Sequence, residues 1–478
     1  VGEEDSFAFI IRLLLGYSKL LGYIFNWVKE EFKMKKLVVL ALAALCVVAF
    51  SIPASALEVE FGGYFRTRWW TQQNWYGPTD PNDEDNPKTV QSFNAEEQDI
   101  TNFDQRTRLY LDAVFHENLK FVNKFEIDAR WGNANANAGG YGADGDFGTD
   151  GVGVEVKNSY ADFNLGPVNF KVGLQGIALG SSFLMDNDFA GAVISYSGDN
   201  FAIPFIYVKG MEGGIGEDAD DFDLDAYAIS PEFAFGGVAI NPFALYFYSE
   251  DASRFGARKD GRLANTEELN LWYAGLTLEF DKDPVWAWVT GIYQGGDMDL
   301  ITGDSVDFSA YLAAAGLDVD FGGMFGVHAE GFYASGDDDA GDDDWEMFFV
   351  PSTSDSYYWA EIMGYGMFDW YLPNNVDGDQ IENVWAANLG FTVKPMDKLK
   401  ISLDGWYAQK VEEIQLLDGT MGDKMGIEVD LVVTYQLVEG LNLDIVGAYL
   451  FADEVITEND IAGDDDPYLV GSRLSLSF

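Results

Sequence analysis

Two histidines, His116 and His328, and one cysteine, Cys46, are the whole supply of imidazole and thiol in a chain of 478 residues. Nucleophilic catalysis needs a base beside the nucleophile and an acid that orients the base. His116 sits in the turn-like His116-Glu117-Asn118, and His328 alternates with Glu330 along a strand-like stretch. Neither shows such a partner pattern, so the chain is not expected to be an enzyme. One cysteine excludes a disulfide framework or a CxxC site, and no CxxCH occurs, so any haem would belong to another chain. The runs Asp337-Asp338-Asp339 and Asp342-Asp343-Asp344, with Asp464-Asp465-Asp466, offer the hard oxygen ligands that calcium takes. They lack the DxDxDG spacing of an EF-hand and its Glu at position 12, and solvated loop carboxylates are the plainer reading.

The basic side chains recur in i, i+2 steps, a spacing that puts both on one face of a strand. Arg66 and Arg68, then Arg106 and Arg108, then Lys120, Lys124 and Arg130, and finally Arg473, make up the set. Such a wall draws anions toward itself. The same strands carry Asp104, Asp112, Glu126 and Asp128, with which the cations could instead pair structurally. The whole chain holds 28 Lys and Arg against 80 Asp and Glu, a net charge of −52, which excludes nucleic acid as a partner. Disorder is excluded as well, because 13 Trp, 24 Tyr and 36 Phe give an aromatic content that unfolded chains lack.

The elements that must position these residues are strands. In EVEFGGYFRTRWW, residues 58–70, Glu58, Glu60, Tyr64, Arg66 and Arg68 alternate with Val59, Phe61, Phe65 and Trp69. In KMGIEVDLVVTYQL, Lys424, Glu428, Asp430, Thr434 and Gln436 alternate with Met425, Ile427, Val429, Leu431, Val433, Tyr435 and Leu437. One face is wet and the other apolar, and LKISLDGWY, LNLDIVGAYLF and LVGSRLSLSF repeat the pattern. Short turns at 116–118, 166–167, 198–200, 236–237, 281–284, 322–323, 395–398 and 438–440 interleave with long loops near 73–100, 133–151, 179–187, 210–221, 250–267, 295–305, 335–380, 411–423 and 453–466. Eight turns and nine loops join about 18 strands. That interleaving predicts an all-β, transmembrane, antiparallel up-and-down barrel with short periplasmic turns and long extracellular loops. Past Ala56 no apolar run reaches the 18 residues of a membrane-crossing helix, and a closed barrel is the other way to satisfy every backbone donor in lipid.

The compartment signal lies upstream. Met34-Lys35-Lys36, the run LVVLALAALCVVAF and Ala54-Ser55-Ala56 read as a signal peptide over 34–56 with cleavage before Leu57. Residues 1–33 precede that signal and read as a non-native extension; residues 57–478 are the barrel. Leu45 before Cys46 argues against lipidation there. The sequence carries no signal for an oligomeric state.

Strand 18 must pair with strand 1 to remove both edges. Outward parity gives Val470, Leu474, Leu476 and Phe478 to lipid, with Phe478 in a periplasmic aromatic girdle. The ending resembles the C-terminal phenylalanine signal by which Gram-negative outer-membrane barrels are recognised for assembly. With FGGYFRTRWW as opening strand and an acidic loop led by YASGDDDAGDDD, the chain resembles the porin and alginate-export type of outer-membrane barrel along nearly its whole length. The resemblance implies a water-filled or partly plugged channel for small hydrophilic solutes. It also implies as partners membrane lipid, lipopolysaccharide and the barrel assembly machinery. An alginate exporter would show a basic lumen and mouth, and the acidic loops depart from that. A saccharide-selective channel, or a sheath around an electron-carrying partner, are the alternatives.

Closure makes strands 1, 2, 3 and 18 neighbours, so Arg66, Arg68, Arg106, Arg108, Lys124, Arg130 and Arg473 are expected to form one basic wall. Arg66 and Arg108 should lie at similar height, and Asp318, Asp320, Asp430 and Asp444 are expected to face them from distant strands. The loop 335–380 carries Trp345, Phe348, Phe349, Tyr357, Tyr358, Trp359, Tyr365, Phe368, Trp370 and Tyr371. That is too much aromatic surface to leave in water. It is expected to pack into the mouth as a lid or constriction, with sugar stacking as the sharper alternative.

Overall fold

The computed structural model describes residues 57–75, 98–132, 145, 152–214, 220–258, 261–339, 341–351, 357–369, 372–373, 375–376, 381–459 and 465–478. The signal peptide over 34–56, the extension 1–33, Asp464 and Trp370 lie outside these residues. Alternating side chains yield long strands: β1 Glu58–Trp75, β2 Gln98–His116, β3 Leu119–Arg130, β4 Glu155–Leu165, β5 Val168–Leu179, β6 Met185–Gly198 and β7 Phe201–Met211. Next, β8 runs in two pieces, Leu224–Ile229 and Glu232–Phe235, because Pro231 between them has no N–H for the ladder. The remainder are β9 Val238–Ser249, β10 Thr266–Lys282, β11 Val285–Leu300, β12 Ser305–Phe321, β13 Phe325–Ala334, β14 Val384–Met396, β15 Leu399–Gln415, β16 Met421–Val438, β17 Leu441–Ala452 and β18 Tyr468–Ser477.

Each strand pairs antiparallel with the next, from Glu58↔Val114 on β1 and β2 to Leu441↔Leu476 on β17 and β18. The sheet then closes through β1 and β18, from Tyr64↔Ser477 to Gln73↔Tyr468. The result is a closed barrel of 18 strands, as the interleaved turns and loops predict. Three of the nine expected long loops shrink, that at 179–187 to the connection 180–184. The strands β11 and β12 continue to Leu300 and from Ser305, and β15 and β16 continue to Gln415 and from Met421, so 295–305 and 411–423 are mostly ladder. Their Gly and acidic content resembles loop composition, yet their backbones still pair above the apolar belt.

Outside, Ile427, Val429, Leu431 and Tyr435 are exposed on β16, whereas Glu428 and Asp430 between them are buried inside. Aromatic side chains ring both edges of the outer surface. Phe61, Phe115, Phe280, Phe321 and Phe478 stand exposed at the turn end; Tyr246, Trp272, Tyr293, Tyr311 and Phe451 stand exposed toward the loop end. That is the lipid-facing surface of an outer-membrane barrel.

The alternation fails at one place on β16. Met425 is buried and Lys424 exposed, the reverse of the strict period-two reading. A bulge at Gly426 causes this: its φ is 132°, and the register with β15 slips between Ala408↔Gly426 and Gln409↔Lys424. A slip of one residue sends every later side chain to the other face. A Cβ at Gly426 would come 2.2 Å from the Phe451 carbonyl oxygen, so only glycine fits.

Phe478 belongs to the seam. Its N–H donates to the Gly63 carbonyl at 3.1 Å, its carbonyl accepts from Gly63 N–H at 2.9 Å, and its ring lies 5.9 Å from that of Phe61. Deleting Phe478 therefore removes two seam hydrogen bonds and a girdle ring. The expected outcome is a lower yield of folded barrel and loss of heat-modifiable migration on gels; normal yield would show that this residue is dispensable.

Candidate channel lumen

Inward parity brings the basic residues of β1, β2, β3 and β18 onto one wall. Cross-strand register sets their order: Arg66 lies opposite Arg106, Arg68 opposite Asp104 and Arg473, Arg108 opposite Tyr64 and Glu126. The expected match of Arg66 with Arg108 is thus off by one inward pair, because β2 overshoots the turn by more residues than a count from the strand ends suggests. Two charge rows result, one of them running Asp444, Arg473, Arg68, Asp104, Arg130 around five adjacent strands.

Arg66, Arg68, Arg106, Arg108 and Arg473 are ion-paired. The Arg106 guanidinium donates to Asp128 at 2.8 and 2.6 Å and lies 3.4 Å from Glu126. Arg108 pairs with Glu126, and Arg473 donates to Asp444 at 2.9 Å. Asp444 is thus a next-strand partner of the basic wall, not a carboxylate facing it across the pore. Arg130 donates to Asn102 at 2.6 Å, and the Lys124 ammonium stands 5.7 Å from the Tyr110 ring. Arg68, only 4% exposed, holds Asp104 from β2 and Asp369 from the long loop after β13, donates to the Met367 carbonyl at 2.9 Å, and lies over Trp70. Arg66 has the same Asp369 at 3.6 Å. Asp369 escapes a sequence reading because it stands outside the Asp runs that draw attention in that loop.

The wall over β7–β13 is different in kind. Ile206, Val208, Leu245, Phe247, Leu271, Tyr273, Ile292, Leu312 and Phe332 point inward and are buried, an arrangement that water-filled lumens do not need. Two inward segments cover them. The short connection after β5 inserts Phe183, which stacks on Tyr357 at 3.9 Å, while Ser181 lies within hydrogen-bond reach of Thr277 and Thr290. The long loop inserts Phe348 and Phe349, both buried; Tyr273 donates its hydroxyl to the Phe349 carbonyl, and the Phe349 N–H donates to Gln294 at 3.0 Å. Trp345 and Trp359 pack partly against the same core, with Trp359 edge-on to Trp406 at 5.1 Å. Phe368 stacks on Trp70 at 5.4 Å. The loop spans the lumen from the apolar wall to the arginines. Of the expected lid aromatics among the described residues, Tyr358 is the exposed one, while Phe348 and Phe349 are taken up by packing.

Of the six aspartates over 337–344 that could ligate calcium, three accept backbone N–H groups of the same loop. Asp337 accepts from the Asp339 N–H at 3.2 Å, Asp339 from Gly341 at 3.3 Å and Asp342 from Asp344 at 2.9 Å. Asp338 and Asp343 are exposed, and the short strand Asp344–Trp345 lies parallel to β12 at Asp307 and Phe308. Among the described residues no three His, Cys, Asp or Glu side chains gather into a ligand set. Backbone turns hold these carboxylates apart.

One pairing contradicts the sequence reading. His328 Nε2 stands 2.5 Å from Asp404 Oδ1, although the two residues are on β13 and β15 with β14 between them. Gly390 occupies the intervening position in register, His328↔Gly390↔Asp404. A Cβ there would lie 2.0 Å from His328 Nε2, so the glycine is what lets the pair bridge a strand. Asn388 also donates to Asp404 at 3.3 Å. Among the described residues no hydroxyl nucleophile hydrogen-bonds to this pair, and its arrangement is that of a structural bridge.

No family model matches the chain, and no curated protein matches it. Solved structures do. Pseudomonas aeruginosa OpdK with vanillate shares 9% identity over 88% of this chain and 98% of its own, with a TM-score of 0.52. P. aeruginosa OccK8 (OprE) shares 10% over 88% and 98%, TM-score 0.52, and Acinetobacter baumannii OccAB1 shares 13% over 88% and 96%, TM-score 0.51. The likeness is one of fold, and the fold is that of an outer-membrane porin barrel.

Proposed function

We propose that this outer-membrane barrel is a passive channel for small hydrophilic solutes, conducting between the docked loop and the charged wall of β1–β3 and β18. The observation that carries this reading is the wetness of that wall. The side chains of Arg108, Lys120 and Asp112 are 28%, 40% and 22% exposed while sharing the inward register of that wall, whereas the opposite inward wall is dry. Water beside paired ions, with lipid-facing apolar residues outside, is what a diffusion pore requires. Membrane lipid and lipopolysaccharide would contact the outer belt, and the assembly machinery would engage the β18 seam.

Single-channel recording of the refolded full chain in planar bilayers tests this. A steady ohmic current supports the reading, and silence after lid removal overturns it. Selectivity follows from two opposing charges. The loops at the mouth are acidic, but at physiological salt the Debye length is about 8 Å, so their field fades before mid-pore. A modest cation preference that weakens as salt rises is expected. Replacing Arg66, Arg106 and Arg108 with glutamine leaves Asp128 and Glu126 uncompensated and should move the reversal potential toward cations. An unmoved potential would place these arginines outside the conducting path.

A further inference from the structure

The loop segment 361–369 is held on the β16 side by carboxylates. Glu428 accepts the N–H groups of Ile362 at 2.6 Å and Met363 at 2.9 Å, and Asp430 accepts the Glu361 N–H at 3.4 Å. Glu361 turns its own carboxylate back to the Met367 N–H at 2.8 Å. Glu428 is 0% exposed and Asp430 3% exposed, and Glu361 beside them is half-buried. Two buried carboxylates and a half-buried third thus share one site, and among the described residues no cation forms a direct ion pair with any of them. Asp430 Oδ1 is buried with no donor, its close neighbour being the Glu428 carboxylate two residues away on the same face. An uncompensated buried charge is costly, and an acceptor facing an acceptor needs a proton between them.

The other charged groups around the triad compensate only in part: Arg473 favours the ionised Glu361 through space without forming an ion pair with it. Arg473 on β18 is engaged with Asp444, which also accepts from Thr434. Asp404 on β15 is tied to His328 on β13, and Glu330 accepts from the Tyr357 hydroxyl. Arg68 and Arg66 on β1 are committed to Asp369 and Asp104 at the far end of the segment.

We propose that Glu361, Glu428 and Asp430 form a proton-operated latch: with protons shared among them they hold segment 361–369 against the wall, and on losing those protons they repel it and widen the pore. The widening rests on the channel reading; the latch itself does not. The sign follows from linkage. Burial pushes the docked Glu361 carboxyl up to about 7 from an ordinary 4.5, with Glu428 adding to the rise and the Met367 N–H opposing it. Freed into water it returns to the ordinary value, so the docked loop binds more protons and docking weakens as pH rises between those two values.

The test combines conductance with hydrogen exchange on the refolded full chain. Conductance should be about twofold or more higher at pH 8 than at pH 5, with the loop shifting toward its released population. The amides of Ile362 and Met363, corrected for the intrinsic pH dependence of exchange, should lose protection over the same interval. Glu361→Gln and Asp430→Asn, each nearly isosteric, should hold conductance and protection at their pH 5 levels throughout. Equal corrected protection at both pH values, or a full pH response retained in both variants, would overturn the latch. Amides that loosen while current stays flat would support the latch and overturn the reading that segment 361–369 narrows the conducting path.

Discussion

Excising residues 340–376 and joining the ends through a short Gly-Ser segment should raise single-channel conductance severalfold. Eighteen strands spaced about 4.8 Å apart and tilted about 40° enclose a cylinder roughly 36 Å across between backbones. An empty barrel of that size would be a wide aqueous pore, so what fills it determines the current. The deleted stretch contributes Phe348, Phe349, Ile362, Met363 and Phe368, all buried, and spans from Tyr273 and Gln294 to Arg68. The barrel seam lies elsewhere, between β1 and β18, so closure survives; heat-modifiable migration of the deletion variant checks that. Unchanged conductance in a folded variant would place the loop outside the path.

Arg68→Met should free the loop's far end while leaving the barrel folded. Arg68 joins two carboxylates, Asp104 and Asp369, and the Met367 carbonyl, and removing it strands Asp104 and, among the described residues, leaves Asp369 only Arg66 at 3.6 Å. Breaking a buried pair by removing one partner costs about 3–5 kcal/mol, more than a loop anchor can lose without shifting. The measurable result is loss of amide protection around Asp369 together with frequent opening events in the current trace. Adding Asp369→Asn should restore part of the protection, because the poorly compensated charge is gone; a coupling of about 0.5–3 kcal/mol in the double-mutant cycle is expected. A coupling of zero would show that Asp369 is held by something other than this arginine.

Period two and the placement of turns made the barrel legible, since each is local: Ile427, Val429 and Leu431 advertise an outer face without reference to any other strand. What stayed hidden depends on relations between strands. The Gly426 bulge reverses Met425 and Lys424, and nothing in the run KMGIEVD marks which glycine will be a bulge. The His328–Asp404 bridge requires knowing that Gly390 falls between them, a consequence of two hairpin registers at once. The aromatic content of the loop after β13 pointed to packing, because hydrophobic surface must go somewhere. Its anchors, Asp369 to Arg68 and the Ile362 and Met363 amides to Glu428, were illegible because backbone donors and a single aspartate leave no compositional trace.

The seam has a consequence in time. The strands β1 and β18 are the first and last of the barrel to be delivered, and their pairing joins the most widely separated parts of the sheet. Until β18 arrives, Tyr64 through Gln73 present an open row of donors and acceptors while the sixteen strands between are being added. Long-range pairings of this kind form slowly, and an exposed edge invites pairing with the wrong chain. Insertion must therefore shelter the β1 edge throughout, and the slowest step of folding should be the meeting of the two ends of the sheet rather than the formation of any hairpin.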